Sequence, residues 1–216
     1  MSKFLALLSA ILLSTVPLTS AVAGSAAPQA GVDYVVIDAG QPYAPARGQV
    51  EVAEVFGYWC PHCAAFQPEL SAWVQRLPAG VRFTPVPAVF TEGDVLARAY
   101  FAAAHFGLLP RVHDAIFQAI HVDGSLPRNP SLDEMAAWFG QHGLDAGRAR
   151  AYMASPTVEA QLAHARDFAL RSGVEGTPTL IVDGRYRITA STHEEGLRTA
   201  SALIATLRAA KPQPHS

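Results

Sequence analysis

Cys60 and Cys63 stand three residues apart between an apolar run and a proline-opened helix, and the 216 residues contain no other cysteine. The run before them, residues 50–56, is β-branched and apolar apart from Glu51 and Glu54, and reads as a buried strand. Pro61 lacks an N–H at the one place where a helix has no partner for it, so it opens a helix carried to about residue 77, with a kink expected at Pro68. A chain built on this unit must bring a strand, a tight turn and a helix N-terminus to one point and hold two thiols there. Two cysteines cannot make a disulfide scaffold or a four-thiolate zinc site. With 50% hydrophobic residues and a net charge of -2, the stability of the fold has to come from an apolar core, disorder is excluded, and no basic footprint for nucleic acid is present.

The first 23 residues have the order of an export signal: Lys3, an apolar stretch from Phe4 to Leu18 broken late by Pro17, and Ala21-Val22-Ala23 as a small-x-small cleavage site. The stretch is shorter than the roughly 20 residues a spanning helix needs, and no second one follows. Cleavage and export follow, and no cysteine lies at the cleavage site to take a lipid. Beyond it, residues 32–37 and 50–56 read as strands. Residues 81–89 read as a third, with regular pairing expected only over 81–84 unless it bulges or lies on an edge, because Pro85 and Pro87 cannot donate to a ladder.

Helical spacing then takes over at 94–107, 111–122, 131–140 and 156–172. Ser131 with Glu134 makes a capping box, Ser155-Pro156 starts the last of these helices, and Gly173 stops it. Residues 179–183 and 185–189 are strands joined at Asp183-Gly184, a hairpin signal. An amphipathic helix over 193–210 closes a mixed α/β fold with a helical insertion. Tyr100, Phe101, Ile116, Phe117, Trp138 and Phe139 supply the insertion's core. His105, His113 and His121 are spaced by eight, about 80° apart around a helix, which does not make a metal-binding pair.

One helical turn between Cys60 and Cys63 lets their sulfurs meet without backbone movement. The positive end of the helix and, when cationic, His62 favour a thiolate at Cys60. A free thiol of pKa about 8.5 is only a few per cent thiolate at pH 7, so this stabilisation sets both reactivity and redox direction. Cys60, placed outward, is then the attacking and attacked sulfur, and Cys63 resolves the mixed disulfide. The alternatives are a structural disulfide, which would do little in so short a loop, or half of a metal site that includes His62. Glu54, six residues before Cys60 in a central strand, is either protonated or costly there, unless it reaches the strand end and water.

Phe56-Gly57-Tyr58-Trp59-Cys60-Pro61-His62-Cys63, the later Gly176-Thr177-Pro178-Thr179 and the helical block between them resemble the DsbA-type periplasmic thiol-disulfide oxidoreductases, over about residues 34–210. The resemblance implies a thioredoxin-like fold in two parts, 24–91 and 166–216, around an all-helical insertion at 92–165. It also implies that Pro178 is preceded by a cis bond, which presents the Thr177 backbone to Cys60 and to an extended substrate strand. The family's buried acid falls on Glu54, thought to move a proton to or from Cys63, but the nearest cation in sequence is Arg82, so an ion-paired relay is in doubt.

Catalytic roles are thereby carried over to Cys60, Cys63, His62, Pro61 and Glu54, and substrate binding to Thr177 and Pro178, with no cofactor and no metal. Trp59, Phe66, Val174 and Thr177 could line an apolar groove, although core packing serves Phe66 and Val174 equally well. The implied activity is donation of the Cys60–Cys63 disulfide to reduced or unfolded exported proteins in the periplasm. Reoxidation falls to a membrane quinone-linked DsbB-type oxidase, and the chain is expected to be a monomer. The competing readings are a periplasmic reductase or isomerase, and a copper or zinc carrier using Cys60, Cys63 and His62.

Overall fold

The computed structural model describes residues 27–91 and 93–210, so the expected export signal and its cleavage site lie outside the described residues. Five strands form one sheet, β1 (Tyr34–Val36), β2 (Val50–Phe56), β3 (Val81–Pro87), β4 (Thr179–Val182) and β5 (Tyr186–Ile188), in the order β1-β5-β4-β2-β3. β2 pairs parallel with β3 and antiparallel with β4, and all seven of its residues are buried. Burial on both faces is what its nearly unbroken apolar sequence requires.

On one face, Val50, Val52, Leu180 and Val182 pack with Phe66, Leu70 and Trp73 of α1 (Pro61–Val74) and with Leu197, Leu203 and Ile204 of α7 (His193–Ala210). On the other face, Ala53, Val55 and Ile181 join the core of α2 (Val95–His105), α3 (Leu109–His121), α4 (Leu132–Gln141), α5 (Ala146–Met153) and α6 (Pro156–Arg171). Tyr100, Phe101, Ile116, Phe117, Trp138 and Phe139 are all buried in that second core, as expected. Each such side chain taken fully out of water contributes about 1.5–3 kcal/mol.

β3 runs to Pro87 and pairs with β2 along its whole length, further than the two prolines suggested. Its place at the sheet edge is the reason. Gly80 accepts from Val50 N–H and Ala88 N–H donates to Phe56 O, so the even-numbered peptide groups of β3 face β2 and the odd-numbered ones face outward. The missing N–H groups of Pro85 and Pro87 therefore fall on the open side, where the Pro85 carbonyl accepts from Tyr100 O–H at 2.9 Å.

α1 continues through Pro68 and ends at Val74, slightly short of its expected end. α5 has no counterpart among the expected helices; Asp145 starts it by accepting from Arg148 N–H. Ser131 and Glu134 form the expected reciprocal capping box on α4. α6 runs unbroken to Arg171, so the boundary expected after residue 165 falls inside a helix. No glycine or proline interrupts it there, and Phe168 is buried in the same core as Leu162 and Ala165. Among the described residues no helix is long and apolar enough to cross a membrane.

Candidate active site

Cys60 is the N-cap of α1, with extended backbone dihedrals and no side-chain hydrogen bond capping the first turn. The positive end of the helix is thus left to the sulfur rather than to a serine or aspartate oxygen. Pro61 follows at the first helical position, and Pro61 and His62 are exposed. Cys60 is only 3% exposed, more enclosed than its outward placement in the sequence suggested, because Thr177 covers it: Cys60 Sγ–H donates to Thr177 O at 3.3 Å. The Thr177-Pro178 peptide bond is cis, and Thr177 and Pro178 are half-buried. A loop 117 residues away in sequence is in this way brought against the redox motif.

Cys63, one turn in, is fully enclosed and accepts from Gly57 N–H at 3.5 Å. Burial pushes its thiol well above the ordinary range, the charges of Glu54 and Cys60 push the same way, and the Gly57 N–H opposes them. Both cysteines are free thiols in this structure. The arrangement is asymmetric. One sulfur stands at a helix N-terminus beside the Thr177 carbonyl, and the other sits in an environment that keeps its proton on.

Glu54 is buried on the face of β2 that meets α1 and α7, and its Oε2 has no hydrogen-bond partner among the described residues. Burial alone raises its carboxyl from 4.5 to about 8, so it carries a proton at neutral pH. Arg82, the nearest cation in sequence, does not reach it. The β2–β3 register sets Arg82 opposite Glu51, which it meets at 2.9 Å, and sets Pro85 opposite Glu54. Glu51 also accepts from Tyr43 N–H at 2.6 Å and Thr84 Oγ1–H at 2.9 Å. Two acids three residues apart on opposite strand faces thus differ completely: Glu51 is a satisfied structural carboxylate, and Glu54 an unpaired acid.

Two cavities flank the motif. One, of about 220 Å3, is lined by His62, Phe66, Thr177, Pro178 and His193. The other, of about 420 Å3, opens beside Trp59 and is lined by Phe90, Asp94, Leu96 and Arg128. Trp59 is half-buried and meets the exposed ring of Phe90 edge-on. Of the four proposed groove residues, Phe66 belongs mainly to the core with Leu70 and Trp73, and Val174 packs on the other core. Trp59 and Thr177 remain at the surface of the site. Among the described residues no group of three His, Cys, Asp or Glu side chains is placed to hold a metal ion.

Sequence reasoning missed His113 and His121. Considered only as metal ligands, they instead grip Tyr58, which lies in the loop that leads to Cys60. Their spacing of eight residues was the available signal, since it sets both on α3 but on different sides of one target.

Residues 80–202 match the family model for the DSBA-like thioredoxin domain, a region that begins after the cysteines and takes in the insertion and the Thr177-Pro178 loop. A thiol:disulfide interchange protein DsbA from Azotobacter vinelandii is 35% identical over 185 residues, covering 84% of this chain and 85% of that protein. The DsbA of Pseudomonas aeruginosa is 35% identical over 84% of this chain and 86% of its own. Among solved structures, the oxidoreductase DsbA from Xylella fastidiosa matches with a TM-score of 0.82 at 45% identity, over 85% of this chain and 99% of that one. A dithiol at the N-terminus of α1, a cis-proline loop across it and these likenesses lead to one conclusion: the chain belongs to the DsbA family of thiol:disulfide oxidoreductases.

Proposed function

We propose that the chain works in the oxidising direction, donating the Cys60–Cys63 disulfide to reduced or unfolded exported proteins in the periplasm. The observation that carries this reading is the position of Cys60, at an uncapped helix N-terminus with its Sγ 3.3 Å from Thr177 O. A client thiolate attacks Cys60 Sγ, the Cys60–Cys63 bond breaks, and the electron pair leaves on Cys63. Cys63 then takes a proton, for which Glu54 is the buried donor and solvent the eventual source. A second client thiolate attacks the client sulfur of the mixed disulfide, and Cys60 leaves as thiolate. Two electrons pass from client to enzyme, and a client disulfide results.

Thr177 and Pro178 hold the client strand by backbone pairing, which accounts for a broad range of clients. Pro61 and His62 complete the exposed lip of the motif. A membrane quinone-linked DsbB-type oxidase restores the disulfide. The helical region acts as an insertion into a thioredoxin-like frame, and it extends to the end of α6.

The test combines trapping with an equilibrium. In a Cys63→Ala variant the mixed disulfide cannot be resolved, so clients accumulate on Cys60 and are identified from periplasmic extracts. Titration of the wild-type protein against glutathione is expected to show an oxidising pair. A strongly reducing equilibrium overturns the oxidase reading, and failure to trap any client removes Cys60 as nucleophile.

A further inference from the structure

Tyr58 stands two residues before Cys60, and α3 holds it at both ends. Its hydroxyl meets His113 Nδ1 at 2.8 Å, and its carbonyl meets His121 Nε2 at 2.7 Å. A carbonyl only accepts, so His121 carries its proton on Nε2 and donates it. The Tyr58 ring is 1% exposed, packed edge-on against Phe56 and Phe117 and against the His113 ring. α3 makes a further bridge to the redox helix, from Gln67 of α1 to Asp114 at 2.9 Å.

The peptide groups on either side of Gly57, the residue before Tyr58, carry the backbone contacts between this loop and the two cysteines. Gly57 N–H donates to Cys63 Sγ, and Gly57 O accepts from Cys60 N–H at 3.0 Å. A Tyr58 fixed at hydroxyl and carbonyl leaves the residue before it, Gly57, little freedom to turn. We infer that His113 and His121 are positioning residues for the redox reaction: by holding Tyr58 they fix the Gly57 N–H on Cys63 and the Gly57 carbonyl on Cys60. The helical insertion thus takes part in setting the redox equilibrium, and does more than shape a surface for clients.

The inference takes Cys60 and Cys63 as the reacting pair, so the experiment begins by measuring the wild-type equilibrium with glutathione, in which dithiol and oxidised glutathione give protein disulfide and two reduced glutathiones. If wild type fails to equilibrate, the redox assignment itself fails. If it equilibrates, His113→Leu and His121→Leu are each expected to shift the constant toward the disulfide by about fivefold, the size of one net hydrogen bond. The reason is that the Gly57 N–H contact made to the free Cys63 sulfur is loosened.

Conservative replacements separate positioning from bulk packing. In His121→Gln the amide N–H stands where Nε2–H stood, and in His113→Asn the amide stands at Nδ1; both are expected to return the constant to the wild-type value. Should His113→Leu not fold, the His121 pair decides alone, because that side chain is only half-buried. Constants unchanged in folded Leu variants, or constants equally shifted in the Gln and Asn variants, overturn the inference.

Discussion

Replacing Glu54 by Gln isolates the energetic effect of one buried acid. Its carboxyl titrates at about 8 in the folded chain against 4.5 when exposed, with burial as the cause. Between these values the unfolded chain has released the proton and the native chain retains it. The native state therefore binds more protons, and stability falls as pH rises. Each pH unit in the window costs about 1.4 kcal/mol, which makes roughly 3 kcal/mol at pH 7 and about 5 kcal/mol once pH passes the folded value.

Gln cannot ionise, so the stability difference between Glu54→Gln and wild type should climb steadily from pH 5 to pH 8 and level off above it. Urea denaturation of both dithiol forms across this range reads the slope. The slope is the diagnostic quantity, because an unpaired amide N–H adds an offset that does not depend on pH. His113, which burial lowers to about 4, acts in the opposite sense: as pH falls from 6.5 toward 4 the unfolded chain takes up a proton that the native chain does not, and stability falls. That contribution is common to both proteins and cancels in the difference. A difference that stays flat from pH 5 to pH 8 would refute the argument that Glu54 is a protonated, unpaired acid.

Three further outcomes are expected. Glu54→Leu keeps the site apolar but removes the proton, so oxidation of a reduced peptide, followed by stopped flow, should slow by roughly tenfold or more, and the pH dependence near 8 should vanish. Glu51→Ala takes the acceptor from Thr84 and the Tyr43 N–H and leaves the partly exposed Arg82 with only the Ala44 carbonyl, and should cost about 1.5–3 kcal/mol in urea denaturation while leaving the glutathione equilibrium in place. Gly184 has φ +64, and a Cβ there would lie 2.0 Å from the carbonyl carbon of Gln41, whereas Gly124 at φ +63 faces open space. Gly184→Ala should therefore lower the thermal midpoint far more than Gly124→Ala, whose cost is only the about 1 kcal/mol of the backbone conformation.

The parts of the fold that were legible in sequence were those in which local chemistry and tertiary packing agree. β2 was read with both ends correct because an apolar, β-branched run between glycine-rich turns has no other use, and the Asp183-Gly184 turn is realised with both residues at positive φ. The strand before Cys60 and the helix start at Pro61 were legible because the signals for both are local. The burial of Cys60 was not, since the atom that covers it, Thr177 O, comes from 117 residues away. The extent of β3 pairing stayed conditional on an edge position because the effect of a proline depends on which side of the strand faces a neighbour, which no single strand records. α5 was overlooked because its eight residues bury only Ala149 and Met153, too few to set a period. The partner of Arg82 followed from register: Glu51 and Glu54 are equally plausible in sequence, and the pairing of β2 with β3 decides between them.

Proteins that handle unfolded chains are constantly offered extended segments seeking a sheet to join, and an open edge strand would accept them. The outer side of β3 is a poor host. Pro85 and Pro87 present no donors there, and Tyr100 already occupies the carbonyl between them. At the far side of the sheet β1 is only three residues long. An extended segment from another chain consequently finds little free backbone to pair with along either edge of the sheet.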